Sequence, residues 1–162
     1  ACYLDNFDAC FAALNDPQDK TMWSGLDAPY ILELRAALAR SPEAATKLRQ
    51  TIEKQRSPDA AALYRMFWGY SAEDLANGAG RDLVEGLDKE SLDYRVLAFW
   101  NLQSITGLPS YGYHPVETTA KRKQPVKAWQ QRLKEGKIVP RSAAAAPGVK
   151  SKGAAGKSTD RS

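Results

Sequence analysis

The sequence has little of the material from which most catalytic and metal sites are built. Its 162 residues contain one histidine, His114, and only two cysteines. One imidazole and two thiols do not make up the ligand set of a zinc site. As a general base His114 would need an orienting carboxylate, for which Glu117 is the nearest in sequence, and we favour a loop histidine bonded to backbone. We therefore predict no catalytic residue, no metal site, no cofactor and no enzyme activity.

The two cysteines, Cys2 and Cys10, lie eight positions apart in a segment with helical apolar spacing. On one helix their Cα atoms would be about 12 Å apart, beyond the reach of a disulfide. Both share an apolar side with Phe7, Phe11 and Leu14, so we predict that they are buried packing residues. Residues 1–14 are predicted to form one helix.

Long apolar runs are also absent, since none approaches the length of about 20 residues that spans a bilayer. Neither a signal peptide nor an initiator methionine is present, and the first residues already have the pattern of a helix interior. We expect a soluble domain, cytoplasmic or associated with the cell envelope, that is the C-terminal part of a larger bacterial protein.

No segment has the alternation of apolar and polar residues typical of β-strands, and the apolar segments are bounded by residues that begin and end helices, so we predict an all-α fold. Pro29 suits the first turn of one helix. Ser-Pro-acid triplets at 41–43 and 57–59 are predicted to start two more, the first running to about Arg56. Gly69 is predicted to end the helix that the second triplet opens.

The next start signal is Ser71 with Asp74, a capping box in which Asp replaces Glu. Asn77, Gly78 and Gly80 are predicted to break the chain after this short helix. A second break is predicted near the C-terminus, where Pro125 either kinks the last helix or marks its start.

The most apolar segment, LDYRVLAFWNLQSITG, follows the shorter LVEGLD and is predicted to be a central helix ending at Gly107. Ser91 is its predicted N-cap, and Asp93 is placed to interact with the helix dipole. Arg95 falls within the apolar arc, so it needs helix carbonyls or a carboxylate such as Asp88 or Glu90.

These residues resemble a HEAT or armadillo-type repeat, in which two helices are joined by a turn with Asp and the second helix carries Arg and a small residue. The wider arrangement is similar to segments of uncharacterised, envelope-associated bacterial proteins. The resemblance implies helical hairpins, as a short array or a compact bundle, and implies no activity. It covers about twenty-five residues, the matching positions being Leu83, Val84, Leu87, Asp88, Leu92, Asp93, Arg95, Ala98 and Leu102.

Charge divides the chain unequally. Residues 1–118 carry a net charge of −6, whereas residues 119–162 carry +10. After Val139 the composition is dominated by Ala, Gly, Ser and Lys, which cannot bury enough apolar surface to offset the entropy of ordering. We therefore predict a helical domain over 1–139 and a disordered basic tail over 140–162.

The function favoured by these patterns is a non-catalytic scaffold or interaction module that contacts an unknown protein partner. Its candidate contact residues are the aromatics Trp23, Tyr111, Tyr113 and Trp129. The alternative is electrostatic binding of nucleic acid or an anionic membrane through the basic segment 121–161. The candidate anion contacts are Lys121, Arg122, Lys123, Lys127, Arg132, Lys134 and Lys137.

Overall fold

The computed structural model describes residues 7–15 and 29–141, and all regular structure in these ranges is helical. A kinked helical turn, Leu75–Ala79, joins the fifth helix to the sixth. The protein is thus all-α, as the sequence predicts. The helices in chain order are α1 (Phe7–Ala13), α2 (Pro29–Arg40), α3 (Pro42–Arg56), α4 (Ala60–Trp68), α5 (Ala72–Asp74), α6 (Gly80–Gly86), α7 (Leu92–Thr106) and α8 (Thr119–Lys134).

The start signals of α2 and α3 act as predicted. Pro29 is the first residue of α2, where a missing N–H leaves no helical hydrogen bond unmade. Ser41 caps α3, because its hydroxyl oxygen accepts from the backbone N–H of Ala44 at 3.1 Å. This helix ends at Arg56, also as predicted.

The second Ser-Pro-acid triplet does not start a helix in the same way. Ser57 keeps helical backbone angles at the end of α3, and α4 begins only at Ala60. The side chain of Asp59 makes no capping hydrogen bond. The prediction is wrong here because the triplet forms the tight turn between two consecutive helices, whereas Ser41 has the extended backbone of an N-cap.

Ser71 and Asp74 form both hydrogen bonds of the predicted capping box. The chain break predicted after them is confirmed at Gly78, whose non-helical backbone kinks the turn Leu75–Ala79 before α6 begins at Gly80. Gly78 adopts a φ of 115° in this turn, which an L side chain would disfavour. Gly80 is buried in the first turn of α6, where a Cβ atom would lie 3.1 Å from Ile138 Cγ2.

The central position predicted for α7 is confirmed, because most of its residues are buried and it packs against both α4 and α6. Gly86 brings α6 and α7 close together: a Cβ atom there would lie 2.8 Å from the Cβ of Ala98 and from Cε1 of Tyr94. Gly107, with a φ of 64°, ends the helix as predicted. Ser91 precedes it with extended backbone but makes no side-chain capping bond.

For Cys10 the predicted burial is confirmed, but the exclusion of a disulfide is wrong. This residue is buried in α1, but it belongs to a disulfide and is not a free packing thiol. The exclusion of a disulfide depended on both cysteines lying on one helix, and the described helix is α1, Phe7–Ala13. Cys2 and the rest of residues 1–6 lie outside the described residues.

The segments before and after α8 both contact the core. The Tyr113 hydroxyl donates to the Leu87 carbonyl at 2.6 Å, which fixes the loop before α8 to the end of α6. Pro125 lies within α8, so it does not mark the start of the last helix. Ile138 is buried, and the Arg141 N–H donates to the Ile105 carbonyl at 2.6 Å, so packing extends past residue 139.

Candidate interaction site

Two of the four predicted aromatic contact residues lie in the core. Tyr113 and Trp129 are fully buried, so neither can touch a partner. Trp129 packs edge-on against Phe99 and Tyr111, with ring centroids 6.4 and 5.4 Å away. These predictions are wrong because α8 docks with its aromatic side facing α7. Tyr111 is half-buried, and Trp23 lies outside the described residues.

Arg122 was predicted to contact an anion but has a structural role. It is 5% exposed and donates to the Glu117 carbonyl and, at 3.2 Å, to the Thr119 hydroxyl. The same Nη2 that bonds the Thr119 hydroxyl lies 3.6 Å from the carboxylate of Asp88. Because burial would be costly for an unpaired guanidinium, these contacts explain its position, and the anion-contact prediction is wrong.

Three other predicted anion contacts are already paired with carboxylates. Lys121 contacts Glu117 at 3.0 Å, whereas Arg132 and Lys137 share Glu135 at 2.6 and 2.9 Å. Hydrogen bonds from Lys137, and then from Gln131 and Arg132, lower the pKa of Glu135 to about 2. This acid therefore stays ionised and holds both cations at the end of α8.

The remaining three, Lys123, Lys127 and Lys134, are exposed and have no ion-pair partner among residues 7–15 and 29–141. At about 100° per residue they fall within about 40° of one another on α8. We call this row the lysine stripe.

A different aromatic residue is exposed. Trp68, in the last turn of α4, is 51% accessible, and its ring lies edge-on to that of Tyr64 with centroids 6.2 Å apart. Both rings border a cleft of about 490 Å³ between α3 and α4. The other lining residues are Arg49, Glu53, Ser57, Ala60, Ala61 and Arg65.

Arg35 of α2 lies near the C-terminal end of α4, which Trp68 forms. Its guanidinium lies over the ring of Trp100, 5.0 Å from the centroid. It also packs against Gly69, where a Cβ atom would lie 2.9 Å from its Nη2. Burial lowers the pKa of Arg35, and no carboxylate in the described part of the chain pairs with it. We refer to Arg35, Tyr64, Trp68 and the adjoining cleft as the tryptophan surface.

Arg65 separates this surface from a second cleft of about 490 Å³. It donates to the Gly69 carbonyl, pairs with Asp74 at 3.0 Å and lies over the ring of Tyr70. Burial raises the pKa of Tyr70 to about 12, and burial also raises the pKa of Tyr94 on the opposite wall. The phenols are therefore protonated at neutral pH.

The second cleft contains no arrangement that indicates a reaction. Its wall carries carboxylates, including Asp82 and Glu85, together with Lys89, but no histidine, cysteine or serine. His114 is exposed on the loop before α8 and lines neither cleft. Within the described residues, no group of three or more His, Cys, Asp or Glu side chains is placed to hold a metal ion.

The exposure of Trp68 is indicated by its position in the helical pattern of α4. The buried residues Ala60, Leu63, Met66 and Phe67 lie within about 60° of Leu63 on the helix, at 100° per residue. Trp68 lies about 140° away, outside the arc that a core can cover. An apolar arc too wide to bury on one side indicates an exposed aromatic residue.

Family models, curated proteins and solved structures yield no match to this chain. The resemblance to HEAT and armadillo repeats therefore stays a prediction. None of the helices within residues 7–15 and 29–141 has the length and apolar character required to cross a membrane.

Proposed function

We propose that this chain is a non-catalytic, HEAT/armadillo-like interaction module of a larger bacterial protein, and that it contacts its protein partner through the tryptophan surface. The observation that supports this most is the exposure of Trp68 beside a cleft. Large apolar side chains exposed next to a concavity are typical of interaction sites, and Trp is enriched among residues that dominate binding energy.

The arrangement of the aromatics supports the same proposal. Trp129, Tyr113 and Phe99 are buried, so the fold is able to cover large rings. Trp68 instead stands at the end of α4, held by its contact with Tyr64. A rigid ring that is already positioned loses little conformational entropy when a partner covers it.

The test is affinity capture with the intact chain, its Trp68→Ala variant and a Val139→Ala control, followed by quantitative identification of bound proteins. Val139 is 54% exposed and lies far along the chain, so it controls for loss of an exposed apolar side chain. We expect a partner that Val139→Ala retains and that Trp68→Ala binds at least about tenfold more weakly. Equal capture by all three chains would contradict the proposal, provided that circular dichroism shows unchanged helix content.

The lysine stripe supports a second candidate function, electrostatic binding of nucleic acid or an anionic membrane through segment 121–161. Three cations on one side of α8, none with an ion-pair partner in the described part of the chain, span about 16 Å, since each residue rises 1.5 Å. Such a row can contact successive phosphates without reading sequence.

This candidate is tested by binding of the intact chain to a DNA duplex and to anionic vesicles at several salt concentrations. The variant Lys123→Gln/Lys127→Gln/Lys134→Gln is compared with Lys121→Gln/Lys137→Gln, which removes paired lysines. If the stripe contacts duplex phosphates, the slope of log K against log salt falls by about 2.7 in the first variant. A chain ending at Val139 keeps the lysine stripe but lacks residues 140–162, so its slope shows how much of the binding depends on that segment. An unchanged slope in the triple variant would exclude binding through the lysine stripe.

A further inference from the structure

We propose that the tryptophan surface binds an acidic peptide segment of the protein partner, with a carboxylate facing Arg35 and a neighbouring apolar side chain in the cleft beside Trp68. The inference rests on the proposed function, and it specifies the chemistry of the partner. It is carried by the contact of Arg35 with Gly69, the residue that follows Trp68.

Unlike Arg56 and Arg65, Arg35 has no carboxylate partner among the described residues. Arg56 pairs with Asp93 at 2.7 Å, and Arg65 pairs with Asp74 at 3.0 Å. Arg35 has Trp100 beneath its guanidinium and Gly69 beside it, but no ion pair in residues 7–15 and 29–141. A desolvated guanidinium retains its planar set of N–H donors, which a carboxylate can match with two hydrogen bonds.

The charges around Trp68 favour the same ligand. The cleft wall carries Arg49, Arg65 and one acid, Glu53. Glu53 is already engaged by Arg49 at 2.8 Å, so it has little remaining attraction for a cation. The same pair offsets the charge of Arg49, and Asp74 at 3.0 Å offsets that of Arg65. Arg35 is the cation of this surface that no carboxylate of the described residues offsets, so the surface favours an acidic ligand over a basic one.

The apolar component of the ligand follows from the cleft. Its lining includes Ala60 and Ala61 together with the rings of Tyr64 and Trp68. Small side chains next to aromatic rings leave room for one large apolar group. Burial of such a group provides affinity, and the carboxylate on Arg35 provides orientation.

The experiment pans a phage-displayed library of random twelve-residue peptides on the intact chain, after depletion on the Trp68→Ala variant. We expect selected peptides to be enriched in Asp or Glu next to Leu, Ile, Phe or Trp. A synthetic peptide of the consensus, measured by fluorescence anisotropy, is expected to bind Arg35→Gln about tenfold more weakly. Arg81→Gln, which removes an exposed charge on α6, is the matched control and should change its affinity less than twofold.

The outcomes separate the two proposals. Peptides that depend on Trp68 but carry no acidic enrichment, or that bind Arg35→Gln and Arg81→Gln equally, would overturn the acidic-peptide inference and leave the interaction function standing. If no selected peptide depends on Trp68, the tryptophan surface is not a peptide-binding surface, and both proposals fail.

Discussion

Among single residues, Asp93 is the most deeply buried charged residue of the described chain, with no accessible surface. Its carboxylate accepts from Arg56 Nε at 2.7 Å and from the Tyr94 N–H at 2.8 Å. Its own N–H donates to the Asn15 side chain at 3.4 Å. One carboxylate thus joins the end of α3 to the start of α7 and contacts the turn after α1.

The residue-scale prediction concerns Arg56. Replacing Arg56 with Ala leaves the Asp93 carboxylate buried without its counter-ion, which is expected to lower the free energy of unfolding by about 3 kcal/mol. The measurement is urea denaturation followed by circular dichroism.

Arg49→Ala is the control on the same helix. Its pair with Glu53 is largely exposed, with side-chain accessibilities of 64% and 50%, so we expect this variant to unfold at the same urea concentration as the unaltered chain. Equal effects of the two substitutions would show that the Arg56–Asp93 pair adds no stability beyond that of a surface ion pair.

At the scale of elements, the loop between α7 and α8 is held by Tyr113. Its ring stacks against Phe99 at 4.8 Å, and its hydroxyl donates to the carbonyl of Leu87. Burial raises the pKa of Tyr113 above its usual value of about 10. The loop is therefore anchored by a phenol that must remain protonated in the folded state.

The element-scale prediction is a loss of stability in alkali. Above about pH 10 the unfolded chain releases the Tyr113 proton while the folded chain keeps it, so the free energy of unfolding falls with rising pH, by about 1.4 kcal/mol per unit for this group. Tyr113→Phe is expected to be about 1 kcal/mol less stable at pH 8, having lost one hydrogen bond, but to show a shallower fall between pH 10 and 11. If urea unfolding gives parallel pH profiles for Tyr113→Phe and the unaltered chain, the Tyr113 proton does not cause the loss of stability in alkali.

At the scale of the whole molecule, α8 and the residues after it close the bundle. The chain passes Gly80 at Ile138, which is 6% exposed, and then returns to the end of α7 through the hydrogen bond between Arg141 and Ile105. The last described residues therefore connect α6 and α7 a second time.

The prediction at this scale compares two truncated chains. A chain ending at Arg141 retains every contact described here and is expected to match the full chain in thermal unfolding. A chain ending at Lys137 loses the buried Ile138 side chain, which is expected to cost about 2 kcal/mol. If both shortened chains unfold together with the full chain, the packing of Ile138 on Gly80 contributes nothing to stability.

The sequence by itself determined the helical class and many helix ends, because these depend on neighbours a few residues apart. Ser41 caps α3 through Ala44, Ser71 and Asp74 cap each other, and Gly107 ends α7 by adopting a positive φ. Such interactions form within one turn of helix, so residue type and spacing were enough to predict them.

Only the tertiary structure decided which aromatic and charged side chains face solvent. Trp129 and Trp68 both occupy helices with apolar sides, yet one is fully buried and the other is half exposed. Arg122 and Lys123 are neighbours, yet one is buried beside Asp88 and the other belongs to the lysine stripe. The orientation of a helix depends on residues distant in sequence, and this orientation selects which side of α4 and α8 a partner can reach.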